Sequence, residues 1–159
     1  WGHADRPAGV LGFPFDTHQL DGSVASEAVE AMRADGYPRN GIQRVHEHAL
    51  ESVASRNVTA VADGSRRDDR VPSVSRAFAQ SLEDRHGVDY LSPLAGFGRS
   101  AVDRLVAETL EVETGPSEQI SKADYEGELR ALLADEYGSA AVREVFPEHE
   151  QTYVRGVAE

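Results

Sequence analysis

The sequence predicts an α/β fold in which a parallel sheet carries helices on its faces, and three observations lead there. Short stretches with strand character, 13–20, 58–62 and 88–91, are separated by segments whose apolar residues recur at helical spacing. Strands that alternate with helices imply a parallel sheet with helices on its faces. At 159 residues the chain has the length of one domain with a real core.

Each element follows from its residues. Phe13-Pro14-Phe15-Asp16-Thr17-His18-Gln19-Leu20 alternates as a strand does, and Pro14, which lacks a donor, assigns it to a sheet edge. Asp21-Gly22-Ser23 is a turn with Ser23 as N-cap, and Val24, Ala28, Val29 and Met32 stripe a helix that Gly36 stops. After the loop 37–41, Ile42, Val45, His46, Ala49, Leu50 and Val53 form the cleanest amphipathic stripe in the chain. Val58-Thr59-Ala60-Val61 has the β-branched content of a buried strand. A helix is expected over 73–85, a short strand over 88–91, and a helix from Ser100, capped with Asp103, through Leu110. Thr114-Gly115-Pro116-Ser117 reads as a linker and Ser121 with Asp124 as a second cap. Tyr125, Leu129, Leu132 and Leu133 then mark a helix, and Ala141, Val142 and Val145 a last turn or two. Residues 146–151 are assigned no structure.

Composition narrows the class of function. The 40% hydrophobic content is globular, and no apolar run approaches a membrane span. There is no cysteine, so disulfides and thiolate metal sites are ruled out. Twenty-eight acidic residues face sixteen basic ones, of which Lys122 is the only lysine. A net charge of −12 argues against general nucleic-acid or anionic-membrane binding, because the long-range field repels phosphate polymers. Many carboxylates with almost no lysine suit a halophile's cytoplasm, where salt screens the self-repulsion.

The chemistry-bearing stretch is Ala62-Asp63-Gly64-Ser65-Arg66-Arg67-Asp68-Asp69-Arg70-Val71-Pro72. It follows a strand, where open α/β sheets bind ligands. Arginines can grip phosphate oxygens in pairs, and aspartates can hold a divalent metal. By itself it reads equally as a solvated charged turn. The second turn, Gly96-Phe97-Gly98-Arg99-Ser100, lies between a strand and a helix start, where free N–H groups attract phosphate. Taken alone it is an ordinary βα turn; two such loops on neighbouring strands make a pocket. The histidines show no metal spacing, and His46, on the apolar stripe, reads as a satisfied core residue rather than a ligand. Gln80 and Asp84 share a helix face as an internal pair.

These residues resemble a known family. The stretch 62–72 is similar to the second motif of the PP-loop (N-type) ATP pyrophosphatases, and Leu91-Ser92-Pro93-Leu94 with Arg99 is similar to a later element of theirs. The Gly-Tyr-Pro of 36–38, the Gly-Ile…His-x-x-Ala-Leu of 41–50 and Gln-Ser-Leu-Glu-Asp-Arg at 80–85 resemble their archaeal α-hydrolase-like branch. So do Pro-Leu-x-Gly-Phe-Gly-Arg at 93–99, Lys-x-Asp-Tyr-Glu at 122–126 and Phe-Pro-x-His at 146–149.

The resemblance implies a HUP-type, Rossmann-like sheet of which this chain holds a three-strand portion, with 13–20 as its edge strand. Residues 1–112 would be the carboxyl-terminal part of that nucleotide-binding domain and 113–159 a helical extension. It also implies ATP and Mg2+ as cofactors, and adenylation of an acceptor with release of pyrophosphate. By position, Asp68, Asp69 and Arg67 would be catalytic, and Asp63 and Asp69 would hold the metal. Asp63, Gly64, Ser65, Arg66, Arg70, Gly96, Gly98 and Arg99 would bind the nucleotide. The partners implied are a nucleotide and an unidentified acceptor, tRNA being the one nucleic acid left open; a homo-oligomer is left open too. The family's Ser-Gly-Gly-x-Asp-Ser loop does not occur in the 159 residues. The chain is therefore expected to be a truncated member. The alternative is a non-catalytic nucleotide-binding or regulatory module that acts with a partner.

Overall fold

A computed structural model describes residues 4–117, 119–120 and 125–158. In chain order the elements are α1 (Asp5–Val10), α2 (Gly22–Asp35), α3 (Arg39–Ala54), β1 (Ala60–Ala62), α4 (Arg76–His86) and β2 (Asp89–Leu91). They continue with α5 (Arg99–Thr109), β3 (Leu110–Pro116), α6 (Glu126–Tyr137), α7 (Ser139–Val145) and β4 (Glu150–Val157). Among the described residues no helix is long and apolar enough to cross a membrane.

The organising element is α3. Its stripe is wide enough to serve two cores at once. Val45 joins Ala28, Val29 and Met32 of α2, Leu129 and Leu133 of α6, and Val145 of α7 in one cluster. Half a helix further on, Leu50 and Ala54 pack with Val61 of β1, Leu82 of α4 and Val88 just before β2 in the other. Gly41 at its start lets α2 come close: a Cβ there would stand 2.5 Å from Met32 Cε and 2.7 Å from the Ala28 carbonyl oxygen. The stops at Gly36 (φ 63°) and Gly87 (φ 66°) are left-handed caps, as their positions in the sequence predict.

The sheet is smaller than expected and has a companion. β1 and β2 pair in parallel, Ala60 opposite Asp89 and Ala62 opposite Leu91, with Val61 turned into the helical core. Residues 13–20 do not form the third strand; Phe13 and Phe15 are exposed on an irregular segment. The alternation there has no neighbouring strand to pair with, and alternation without a partner does not make a strand. Conversely, the supposed linker 114–117 belongs largely to β3, which runs antiparallel to β4 from Leu110–Val157 to Pro116–Glu150 with an irregularity at Glu111/Val112. The boundary drawn at 112/113 therefore falls inside a strand, and the carboxyl-terminal segment ends in a strand as well as containing helices.

Two caps also differ. Asp21, not Ser23, caps α2, its carboxylate accepting the Ser23 N–H at 2.9 Å. Helix α5 begins at Arg99, and its first N–H is taken by a side chain from another loop (Asp68, below) rather than by Ser100. The Ser121–Asp124 cap lies outside the described residues.

Because the Ala28 carbonyl cannot yield as a flexible side chain can, Gly41→Ala should force α2 and α3 apart. The expected cost is about 1–3 kcal/mol of unfolding free energy, read as a lower urea midpoint at unchanged m-value.

Candidate functional site

The loop after β1 is built around one carboxylate. Asp63 continues the ladder through its N–H to the Leu91 carbonyl at 3.1 Å, which turns its side chain under the loop, where it is 5% exposed. There its oxygens accept from the Ser65 N–H (3.0 Å), the Ser65 hydroxyl (3.2 Å), Tyr90 OH (2.8 Å) and the ring of His46 at Nε2 (3.2 Å). The Ser92 hydroxyl stands 3.2 Å from Oδ1. Burial pushes the Asp63 carboxyl up, but the Ser65, Tyr90 and His46 donors outweigh it and hold the group below the ordinary carboxylate value. Tyr90 shows the reverse face of the same contact: burial first, then the bond to Asp63, push its phenol up to about 12.

Beyond Ser65 the charges pair among themselves. Arg66 and Asp69 close a turn, Arg66 N–H to Asp69 Oδ2 at 2.8 Å and the guanidinium Nη2 to Oδ1 at 2.7 Å, with the Asp69 N–H returning to the Arg66 carbonyl. Burial raises the Asp69 pKa, and the Arg66 bonds overcome it to leave the carboxyl lowered. The next two residues tie this loop to the one after β2. The Arg67 N–H donates to the Phe97 carbonyl at 3.1 Å, and Asp68 Oδ2 accepts the Arg99 N–H at 3.0 Å. That bond holds the exposed Asp68 carboxyl below its ordinary value. A Cβ on Gly98 would sit 2.5 Å from Asp68 Oδ2 and 2.6 Å from Arg67 Nη2, so those two side-chain ends lie close against its backbone.

The two loops thus share one rim. Behind them opens a cleft of about 1180 Å³, walled on one side by Gly64, Ser65, Arg66, Asp69 and Arg99. It is also lined by Val112 and Thr114 of β3, Gln151 and Thr152 of β4, His149 and Tyr125, and Val102 and Val106 of α5. His46 reaches it from α3. A clamp keeps α3 and the loop in register: Gln43 donates to the Ser73 carbonyl and accepts the Ser73 N–H, at 2.7 and 2.9 Å.

The sequence-predicted site residues divide into three groups. Gly64, Ser65, Arg66, Asp69 and Arg99 line the cleft, with Asp63 beneath them. Arg67, Asp68 and Gly98 join the loops rather than line the cavity. Arg70 and Gly96 are exposed and outside it.

Two expectations change. The α5 amide assigned to phosphate already carries the Asp68 carboxylate, which offers the same negative charge to the same N–H. The metal pair does not form either: the Asp63 oxygens are occupied by protein donors and Asp69 is closed on Arg66. Among the described residues no three His, Asp or Glu side chains gather as metal ligands. As placed, both carboxylates are taken up by protein donors, while Arg66 and Arg99 stand at the cleft wall.

His46 is, as expected, a satisfied buried histidine, yet it also faces the cleft, which its place on an apolar stripe did not signal. Tyr125 and His149 fall in the family-like elements 122–126 and 146–149 without a role in a site there, and the β3–β4 wall had no sequence signal.

The Asp63 contribution to stability is complete above the ordinary carboxylate pKa and is lost as pH falls through its depressed folded value. Asp63→Asn should therefore reduce the acid slope of the urea midpoint and cost about 1–3 kcal/mol at neutral pH. In an alkaline absorbance titration Tyr90→Phe should remove a phenol that ionises near pH 12.

Three comparisons place the chain among known proteins. The model of a family of unknown function, DUF7411, matches residues 1–156. An uncharacterized protein of Methanocaldococcus jannaschii is 38% identical over 154 residues, 97% of this chain and 76% of that protein. A crystal structure from the same organism, described as a predicted subunit of tRNA methyltransferase, has the same fold at a TM-score of 0.86 and 36% identity. That match takes in 98% of this chain and 77% of the other. With a family model spanning nearly every residue and a relative above one-third identity, the chain belongs to the family DUF7411.

Proposed function

We propose that this protein is a nucleotide-binding module that acts with a partner rather than a hydrolase working alone. The observation that carries the reading is the convergence of Arg66 and Arg99, from two loops at one sheet rim, on a cleft of nucleotide size. The carboxylates that would serve a metal are meanwhile committed to protein donors. Arg66 is held by Asp69 with its guanidinium at the cleft wall. Arg99 is 66% exposed, with Asp103 at 3.7 Å as a loose companion, so its charge is available to a ligand. The apolar side chains of α5 offer a surface for a base or sugar. The likeness to a predicted subunit of a tRNA methyltransferase supports the partner: a subunit works in an assembly. Net charge −12 favours a basic protein partner as the element that would meet RNA.

A second reading is the adenylating one, in which this chain is part of a PP-loop ATP pyrophosphatase using ATP and Mg2+. It is favoured by one feature, the two charged loops at the carboxyl ends of adjacent parallel strands.

Calorimetry with AMP, ATP and pyrophosphate in molar potassium chloride tests both. The module reading expects binding by AMP that Mg2+ leaves within twofold, and no pyrophosphate release from ATP. Arg99→Ala should weaken binding about tenfold, equivalent to about 1.4 kcal/mol, without lowering the melting temperature. Pyrophosphate release by the wild-type chain would reverse the order of the two readings, and unchanged binding in Arg99→Ala would remove that residue from the site.

A further inference from the structure

One buried array in the cleft wall is not used by phosphate binding. His46 lies between Asp63 and Tyr125, its Nε2 3.2 Å from Asp63 Oδ2 and its Nδ1 2.9 Å from the Tyr125 hydroxyl. The three residues come from α3, from the loop after β1 and from the residue ahead of α6, so only the fold assembles them. Both His46 and Tyr125 also line the cleft that holds Arg66 and Arg99.

The polarity of the array follows from hydrogen-bond inventory. An ionised carboxylate has no proton to give, so the Asp63 contact requires a hydrogen on His46 Nε2. In the neutral imidazole Nδ1 is then bare and can only accept, and the proton in the second contact must belong to Tyr125. Asp63 is in turn prevented from serving as a free acceptor by Ser65, Tyr90 and Ser92 around it. In that neutral form the histidine holds an oriented acceptor, Nδ1, against the Tyr125 hydroxyl at the cleft wall.

We propose that His46 is a specificity-determining residue: its Nδ1 accepts a hydroxyl or amino group of a bound ligand, which takes the place that the Tyr125 hydroxyl holds in the free protein. This rests on the nucleotide reading and deepens it. The ligand class becomes a phosphate ester whose organic part carries a hydrogen-bond donor, as a nucleoside monophosphate does, and excludes inorganic phosphates as full occupants. Tyr125 is the positioning residue that keeps the acceptor satisfied until the ligand arrives, since a bare buried acceptor would be costly.

His46→Gln separates the two ends of the array, because the glutamine amide can still donate to Asp63 while the Nδ1 acceptor is lost. AMP should then bind about five- to tenfold more weakly and pyrophosphate within twofold of wild type. A purely structural histidine would weaken both alike or neither, and either result overturns the proposal.

A ligand-free arm uses diethyl pyrocarbonate, which modifies unprotonated imidazole nitrogens, with peptide mapping. Tyr125→Phe, which keeps the ring, should raise the modification rate of His46 several-fold relative to His149 in the same molecule. AMP should slow it in the wild-type chain and pyrophosphate should not. An unchanged rate in Tyr125→Phe, a nitrogen-15 spectrum showing the hydrogen on Nδ1, or bound AMP that gives no protection would each overturn it. Absence of any heat from both AMP and pyrophosphate would instead sink the nucleotide reading. His46 would then be judged on the tautomer and the Tyr125→Phe rate alone.

Discussion

The carboxylate of Asp63 is where the pieces of this molecule are made to agree. It is buried at the end of a three-residue strand and draws donors from α3, from β2, from the loop beyond β2 and from its own turn. A lone buried charge would cost several kcal/mol, and each donor that offsets this cost also locates a segment. Satisfying the charge and building the site are the same event. Remove it, and the tautomer of His46, the course of the charged loop and the position of Tyr90 all lose their reason.

The remaining charges in the loops obey the same economy. Arg66 closes on Asp69, and Asp68 crosses to the first amide of α5, which leaves Arg99 exposed at the cleft and Arg67 and Arg70 exposed outside it. Every carboxylate in the rim has a partner inside the protein. A magnesium ion would have to take those carboxylates from their present donors.

The second wall is of a different kind. The antiparallel pair β3–β4 is exposed along most of β3 and half-buried along most of β4, where Tyr153 is buried, and Val112, Thr114, Gln151 and Thr152 line the cleft. Two strands alone are marginal in water, and this pair is held by its place after α5 and by α1, which packs on β4.

The amino-acid order by itself determined the helices and their ends. A stripe at 3.6-residue spacing has only one way to be buried, and a glycine in the left-handed region ends a helix wherever it falls; hence α2, α3 and α4 and the stops at Gly36 and Gly87. The two charged loops and their common rim were legible for the same reason, since both follow strands that pair in parallel. Only tertiary structure decided the rest. Whether 13–20 or 110–116 becomes a strand depends on the presence of a partner strand, and β4 lies some forty residues from β3. Whether a carboxylate awaits a metal or is already bonded depends on which donors other segments bring, and His46, Tyr90 and Ser92 are 17, 27 and 29 positions away from Asp63. Hydrogen-bond partners at that separation leave no local pattern, because helical and strand periodicities report only which way a side chain points and not what it meets.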